Sequence, residues 1–469
     1  MTNQVAEVSA KYLSEVEESA VPAGYKQTEV GVIPKHWNVI QLKELGLDIS
    51  DGNYSSKYPR TDEFKSLGVP FIRANNIKGL TVVDHDMRYI SYKKHSEITK
   101  GHLKEGDVLI TNRGEIGNIA VVPLRHVGSN INAQIVRINT GKSALLGTYF
   151  AFYLQRTETN QRLLDMQTGS ALKQLPVNRL LTLPIIIPSN EEQTTIANAL
   201  SDVDALITEL EKLITKKQAI KTATMQQLLT GRTRLPEFSI GDDGSPKGYK
   251  QSELGEIPED WEVVQLSECA ETITKGTTPM TIGKSFVGQG ITFVKVESIN
   301  ESGQFDFSKF AHIDNETDRL LARSRIKEND LLISIAGALG RSIIVTSEIL
   351  PANTNQALAI VRLSSRSLLV LGYLYHFTKT IMFHHCIAEI ASQGAQPNLS
   401  LGDLGAFKIT VPGAKEQTAI ATILSDMDQE IQALVQRLNK TRQIKQGMMQ
   451  ELLTGKTRLI KPSKEVTHE

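Results

Sequence analysis

A stretch of forty-four residues occurs twice in this chain, 224 residues apart and without a gap. Residues 192–235 read EQTTIANALSDVDALITELEKLITKKQAIKTATMQQLLTGRTRL, and residues 416–459 read EQTAIATILSDMDQEIQALVQRLNKTRQIKQGMMQELLTGKTRL. Apolar residues recur every three to four positions in both copies: Ile196, Leu200, Val203, Ile207, Leu210 and Ile214, then Ile420, Leu424, Met427, Ile431, Leu434 and Leu438. That spacing predicts a helix with one apolar stripe, packed lengthwise on another helix. Ser189 stands three residues before Glu192, as in a capping box, and Gly413 stands three before Glu416. Gly231 and Gly455 are the expected stops, because glycine adopts the left-handed turn that ends a helix most easily. At 1.5 Å per residue each helix spans about 60 Å. Ile196, Leu200, Val203, Leu210, Ile420, Leu424, Met427, Leu434 and Leu438 are the residues expected to join the two helices.

A second repeat keeps the same offset. Residues 24–37 read GYKQTEVGVIPKHW and residues 248–261 read GYKQSELGEIPEDW. Their last residues, Trp37 and Trp261, are the only tryptophans in the chain and are expected to anchor packing. Between each such segment and the following helix lie about 150 residues that share a pattern but little identity. VPFIRANNI (69–77) answers ITFVKVESI (291–299), and GDVLITNRGEIGNIAVV (106–122) answers NDLLISIAGALGRSIIV (329–345), each of the latter reading as a hairpin. INAQIVRI (131–138) answers QALAIVRL (356–363) as a strand, residues 145–166 read as a helix, and LPIIIP (183–188) answers FKITVP (407–412) as a closing strand. The expected architecture is α+β: an N-terminal helical segment (1–23), a first globular domain (24–190), a long helix (191–235), a Gly/Asp/Ser/Pro linker (236–247), a second domain (248–414), a second long helix (415–460) and a polar tail (461–469). If each domain has its two ends close together, the second helix starts where the first ends. The helices then run antiparallel, as in a coiled coil, with unlike domains related by a pseudo-twofold axis.

Composition narrows the function classes. No run approaches the eighteen or so apolar residues of a membrane span, and residues 1–20 lack the basic-then-apolar order of a signal peptide, which points to the cytoplasm. Lys/Arg and Asp/Glu balance at 52 each, so bulk charge does not hold the chain to nucleic acid. Residues 38–190 carry 19 basic against 13 acidic residues, and residues 262–414 carry 13 against 14. No phosphate-binding glycine loop occurs, and no Pro-Pro pair exists for an amino-methyltransferase motif. Cys269 and Cys386 are isolated, and His384-His385-Cys386 lies in an apolar helical run that fits packing rather than a metal site. Neither a catalytic nor a metal site is expected.

Polar and basic loops at matching places remain as candidates for DNA contact. The loop 51–60 supplies Tyr54, Lys57, Tyr58 and Arg60, and its counterpart 275–279 supplies Lys275, Thr277 and Thr278. Arg73, Asn75 and Asn76 match a segment headed by Lys295, and Arg113 lies in the hairpin turn. Lys173 and Asn178, in 167–178, correspond to the loop of Gln393, Gln396 and Asn398. These are the residue types that hold phosphates and read base edges.

Taken together, the two GYKQ…IP…W segments, the two EQT helix starts and the LLTGRTRL and LLTGKTRL helix ends resemble the specificity (S) subunit of a Type I restriction-modification enzyme over nearly the whole chain. The resemblance implies two target-recognition domains that each read half of a split sequence in double-stranded DNA. It implies helices that set the half-site separation and bind two modification (methyltransferase) subunits. It also implies that restriction subunits complete the assembly, that S-adenosylmethionine and ATP are bound only on partner subunits, and that the chain itself is not catalytic. Two other readings are a coiled-coil scaffold for proteins and a self-contained methyltransferase or nuclease. Salt-dependent DNA binding separates the first from DNA recognition, and an activity assay without partners separates the second.

Overall fold

Two long helices, Asn190–Leu229 and Ala414–Leu452, carry the repeat in the computed structural model, which describes residues 21–52, 56–170, 173–301, 303–392 and 398–460. The expected N-terminal helical segment falls largely outside these residues. Ser189 caps the first helix as a box: its Oγ accepts the Glu192 N–H at 3.3 Å and donates back to the Glu192 carboxylate at 3.1 Å. Gly413 starts the second helix by accepting the Gln417 N–H at 3.0 Å. The helices end at Leu229 and Leu452, just before the expected stops Gly231 and Gly455, so the last residues of the 191–235 and 415–460 segments lie beyond them. Gly231 and Gly455, each with φ +71, turn the chain back, so the Thr-Arg-Leu that follows is not helical.

The chain divides into two compact units, and the division falls inside both helices. One unit comprises residues 1–210 and 437–469, and the other residues 211–436. Each therefore holds one globular domain, the start of the helix that follows it, and the end of the other helix (in the second unit this is the first helix's own C-terminal half). Within the first unit the helical segments run antiparallel: Glu192 meets Arg458, and further along Asp204 meets Lys445 at 2.7 Å. The second unit repeats this, with Glu416 on Arg234, Asp428 on Lys221 and Glu430 on Lys217.

The first domain is built on a four-stranded antiparallel sheet ordered Ile119–Val121, Val108–Thr111, Ile135–Asn139, Asp48–Asp51. A smaller sheet pairs Asn130–Ile131 in parallel with Val69–Ile72, which also pairs with Arg88–Ile90. The closing strand Pro184–Ile187 runs back along Asn38–Gln41 and so brings the domain's two ends together. The second domain repeats the main sheet as Ala270–Lys275, Leu358–Leu363, Leu331–Ser334, Ser342–Ile344, and its closing strand Lys408–Val411 pairs with Glu262–Gln265. Two readings of local structure change. Residues 145–166 form two helices, Gly147–Gln155 and Thr157–Asp165, because Arg156 adopts an extended ψ of 135 between them. Residues 131–138 are not one strand: the chain turns at Asn132–Gln134 and passes from the small sheet to the large one.

The apolar stripe serves the domain core as well as the helix pair. Ile196 and Leu200 belong to one core with Trp37, Tyr149 and Ile186, and with Met449 and Leu452 from the other helix's end. Ile420 and Leu424 do the same with Trp261, Tyr373, Met225 and Leu229, with Met427 packed alongside. Leu210 and Leu438 are buried, while Val203 and Leu434 are half-buried.

Candidate nucleic-acid interface

The near-copied residues meet at one junction in each unit. Trp37 is 1% exposed and its indole N–H donates to Glu192 at 3.0 Å, so the expected packing anchor also satisfies a carboxylate that is itself 6% exposed. Arg458 Nε donates to the other Glu192 oxygen at 3.0 Å. Burial alone would raise the Glu192 carboxyl, but the hydrogen bonds from Arg458, Ser189 and Trp37 outweigh it and hold the group ionised below its usual range. Gln193 donates to Ala144 and Pro188 carbonyls and accepts the Leu146 N–H, tying the helix start to the domain. Tyr25 donates to Gly455 O at 2.9 Å. The second unit repeats these contacts with Trp261 and Arg234 on Glu416, Gln417 on Leu368, Pro412 and Val370, and Tyr249 on Gly231 O.

Held by this frame, the divergent loops converge on one edge of each domain, around a tight turn. In the first domain Asn132 Oδ1 accepts the Gln134 N–H at 3.2 Å, making an Asx turn. Four segments abut it. A Cβ on Gly52 would lie 2.0 Å from Asn132 O, so only glycine lets the 51–60 loop cross the turn so closely. Asn132 N–H donates to Ile72 O, next to Arg73. Asn112 N–H donates to Gln134 O, which brings in the 113–117 turn, and Leu175 N–H donates to Asn112 O, which brings in the Lys173 loop. Arg113 and Gln174 are directly bridged.

The second domain has the same plan with other side chains. Asn355 Oδ1 accepts the Ala357 N–H at 3.2 Å. A Cβ on Gly276 would lie 2.0 Å from Thr354 O, Thr354 donates to Val294 O beside Lys295, Ile335 N–H donates to Ala357 O, and Leu399 N–H donates to Ile335 O beside Asn398.

The candidate residues differ in what they offer. Lys57, Arg60, Lys173, Asn178, Lys275 and Asn398 are exposed. Tyr58 is half-buried and lies edge-on to Phe71 at 5.6 Å, so its ring is committed to packing. Arg73 forms an ion pair with Asp86 at 2.6 Å that Asn75 reinforces at 3.2 Å, and Lys295 pairs with Glu297 at 2.8 Å. Those hydrogen bonds, from Arg73 and from Lys295, lower the Asp86 and Glu297 carboxyls. Asn76 does not reach the surface: it is 0% exposed, donates to Val83 O and His85 O, and accepts the Arg73 N–H. Its part is to shape the turn that carries Arg73, as Ser298 does for Lys295. Arg113 is half-buried. Thr277 and Thr278 are half-buried and hydrogen-bonded, to Arg323 and Gln356 respectively. Tyr54, Gln393 and Gln396 lie outside the described residues.

A sequence profile of the Type I restriction modification DNA specificity domain matches residues 34–222 and again residues 258–444. The chain belongs to this family. It is 27% identical over 447 residues to a protein described as the MjaX type I restriction enzyme specificity subunit of Methanocaldococcus jannaschii, covering 93% of this chain and 97% of that one. It is 24% identical over 402 residues to the MjaVIII specificity subunit of the same organism, covering 81% and 89%. Its fold is similar to the crystal structure of a type-I restriction-modification S subunit from M. genitalium, with a TM-score of 0.56 at 13% identity over 89% of this chain and 96% of that one.

As a member of the specificity family the chain recognises DNA targets and is not an enzyme in its own right. Among the described residues no cluster of three metal-ligating side chains occurs, and no described helix is long and apolar enough to cross a membrane. His384 and His385 belong to the helix Ile381–Ser392 and both are exposed on it, although partial desolvation of the His384 ring lowers its imidazole. A cavity of about 770 Å³ in the second unit, lined by Met225, Leu229, Ile257, Met382 and Cys386, lies against the helix end and not at the loop edge. The sequence reading missed Gln134, Gln356 and Arg323, all exposed at that edge. The Asn-Ala-Gln and Asn-Gln-Ala tripeptides hold the available signal for the two glutamines, since an asparagine side chain can accept the backbone N–H two residues on and so make a turn.

Proposed function

We propose that this chain is the DNA-recognition subunit of a Type I restriction-modification complex, with residues 24–190 and 248–414 each reading one half of a bipartite duplex target. The observation that carries this reading is the loop edge that recurs in both domains, its backbone plan shared and its side chains different. Two readers of one build and unlike content fit two unlike half-sites. The helices 191–235 and 415–460 would set the separation between those half-sites, and about 60 Å of helix corresponds to roughly seventeen base pairs of duplex. Two modification subunits would dock on the chain and bring S-adenosylmethionine, and restriction subunits would bring ATP-driven cleavage, all in the cytoplasm. The ion pairs already present at Arg73 and Lys295 mean that DNA phosphates must compete with Asp86 and Glu297, so the exposed Arg60, Lys173 and Lys275 are the stronger phosphate contacts.

The test is a footprint of the chain with its modification subunits on DNA carrying the host's methylated motif. Two protected half-sites separated by an unprotected spacer are expected. A single contiguous site that survives deletion of residues 262–414 would overturn the proposal.

A further inference from the structure

Each reading edge has a glutamine at its centre, and neither belongs to the loops that carry the charge. Gln134 is exposed at the Asx turn of the first domain. Its side-chain oxygen accepts the Asn132 Nδ2–H at 3.0 Å, and Asn132 is itself 4% exposed and fixed by backbone bonds. Gln356 is exposed at the matching turn of the second domain, and its side-chain oxygen accepts the Thr278 hydroxyl. The two locks differ chemically, an amide donor within the turn in one case and a hydroxyl from the crossing loop in the other. The first lock is directional, because Asn132 Oδ1 is already taken by the Gln134 N–H; in the second the Thr278 hydroxyl acts as the donor. In both domains the amide oxygen is held by the protein, and among the described residues no group takes the Nε2 hydrogens.

A free glutamine can flip and offer either end of its amide, which reads no base in particular. One whose oxygen is pinned leads with its N–H donors. We infer that Gln134 and Gln356 are specificity-determining residues, one per half-site, each donating to a base acceptor such as guanine O6 or N7 or thymine O4 in the major groove. This rests on the reading of both domains as DNA-recognition modules. It goes further in assigning a position to each domain and a polarity to the contact. Asn132 and Thr278 are positioning residues, because they act on DNA only through the glutamine they hold.

The neighbours differ in a way that keeps the half-sites distinct. Asn112, 3% exposed, donates its N–H to Gln134 O itself, whereas in the second domain the matching donor Ile335 bonds Ala357 O, so that Gln356 sits one residue earlier in its turn, next to the Ile335 contact. Similar donors are thus set in a polar wall in one domain and an apolar wall in the other.

The experiment uses the full chain assembled with its modification subunits and selects binders from a fully randomised duplex library. Gln134→Glu replaces the donors with acceptors at nearly the same shape. It is expected to switch one position of the first half-site toward cytosine, whose N4 amine suits a carboxylate, and to weaken binding to the original target roughly five- to hundredfold. Gln134→Ala should relax that position without switching it. Gln356→Glu should do in the second half-site what Gln134→Glu does in the first, and Thr278→Val should broaden the same position by unlocking the amide. The unaltered half-site reports in each case that the protein is folded and assembled. If the wild type selects a bipartite target and both glutamate variants select that same target with unchanged affinity, the glutamine assignment fails while the DNA-recognition reading stands. If the wild type selects no bipartite target, both fail.

Discussion

Arg458 and Glu192, 266 residues apart in the chain, form an ion pair with Nε 3.0 Å from Oε1, and the carboxylate's second oxygen takes the Trp37 indole N–H. The partners come from the segment that follows one long helix, the start of the other helix and the start of a domain. Their side chains are 18% and 7% exposed, so removing one partner leaves a poorly solvated charge. Arg458→Ala should destabilise the first unit by roughly 3 kcal/mol, and Arg458→Lys should recover little of it because a lysine cannot reproduce the fork. Each unit holds one tryptophan. Denaturation followed by fluorescence in a Trp261→Phe background, which leaves Trp37 as the reporter, measures the loss, and an unchanged midpoint would contradict it.

Both glycines after the long helices are constrained twice over. Gly231 and Gly455 have φ +71, and a Cβ on them would lie 2.4 Å from Pro258 and 2.5 Å from Pro34. Left-handed strain alone costs an alanine about 1 kcal/mol, and the contact with a proline ring cannot be relieved by a rotamer change. Gly231→Ala and Gly455→Ala should each cost more than about 2 kcal/mol, in the second and first unit respectively. Alanine at the exposed Gly244, where φ is +79 and no atom lies within 4 Å, isolates the strain from the contact and should cost less.

The parts that could be read from the chain were those written twice. The long helices, their caps, the paired closing strands and the tryptophan anchors all follow from a repeat with a fixed offset, because a duplicated pattern separates signal from accident. The junction itself was not legible, since nothing local marks Arg458 as the partner of Glu192. Asn132–Gln134 looks like strand in the sequence because apolar residues flank it, although an Asx turn moves the chain between two sheets there. Asn76 looks like a surface donor in the sequence because its neighbours Arg73 and Asn75 are polar. Its burial depends on how residues 83–85 fold over it.

The helix stripe can be tested for which unit it supports. Leu200 and Leu424 are 0% exposed, each within the core of its own unit. From the stripe alone, a charge at either place would break a shared helix pair and abolish both half-sites together. From the cores, Leu200→Asp should lower the transition reported by Trp37 by more than about 4 kcal/mol, and Leu424→Asp that reported by Trp261, each leaving the other largely intact. Loss of both transitions in either variant would restore the simpler view.

Acid should weaken the second unit through His376. This imidazole is 1% exposed, with Ser425 Oγ at 3.0 Å and Asp428 at 4.0 Å, and with Lys221, Lys379 and Tyr375 around it. Burial, aided by Lys221, pulls its pKa from 6.5 to about 4. Between those values the unfolded chain holds the extra proton, so stability falls as pH drops from 6.5 toward 4, by an amount on the order of 3 kcal/mol. Lys379 is lowered by burial from 10.5 to about 8, so between pH 8 and 10.5 the unfolded chain again holds more protons and stability rises with pH. His376→Gln should flatten the acid limb and Lys379→Met the alkaline one. Melting curves of the two variants across pH check both signs.

Lys57 and Arg60 are exposed on the loop that Gly52 holds against the Asn132 turn. Their proposed task is to neutralise phosphates of the first half-site, a contribution that is electrostatic and indifferent to base sequence. Lys57→Ala and Arg60→Ala should each reduce the dependence of log affinity on log salt by about one unit, and should weaken binding to all sequences alike in that half-site. A base-reading residue behaves oppositely, altering which sequence is preferred while leaving the salt slope nearly unchanged. Equilibrium binding at several salt concentrations, with targets mutated in one half-site at a time, tells the two apart. A salt slope that neither substitution moves, or an equal loss at both half-sites, would show that this loop is not an independent phosphate contact of the first domain.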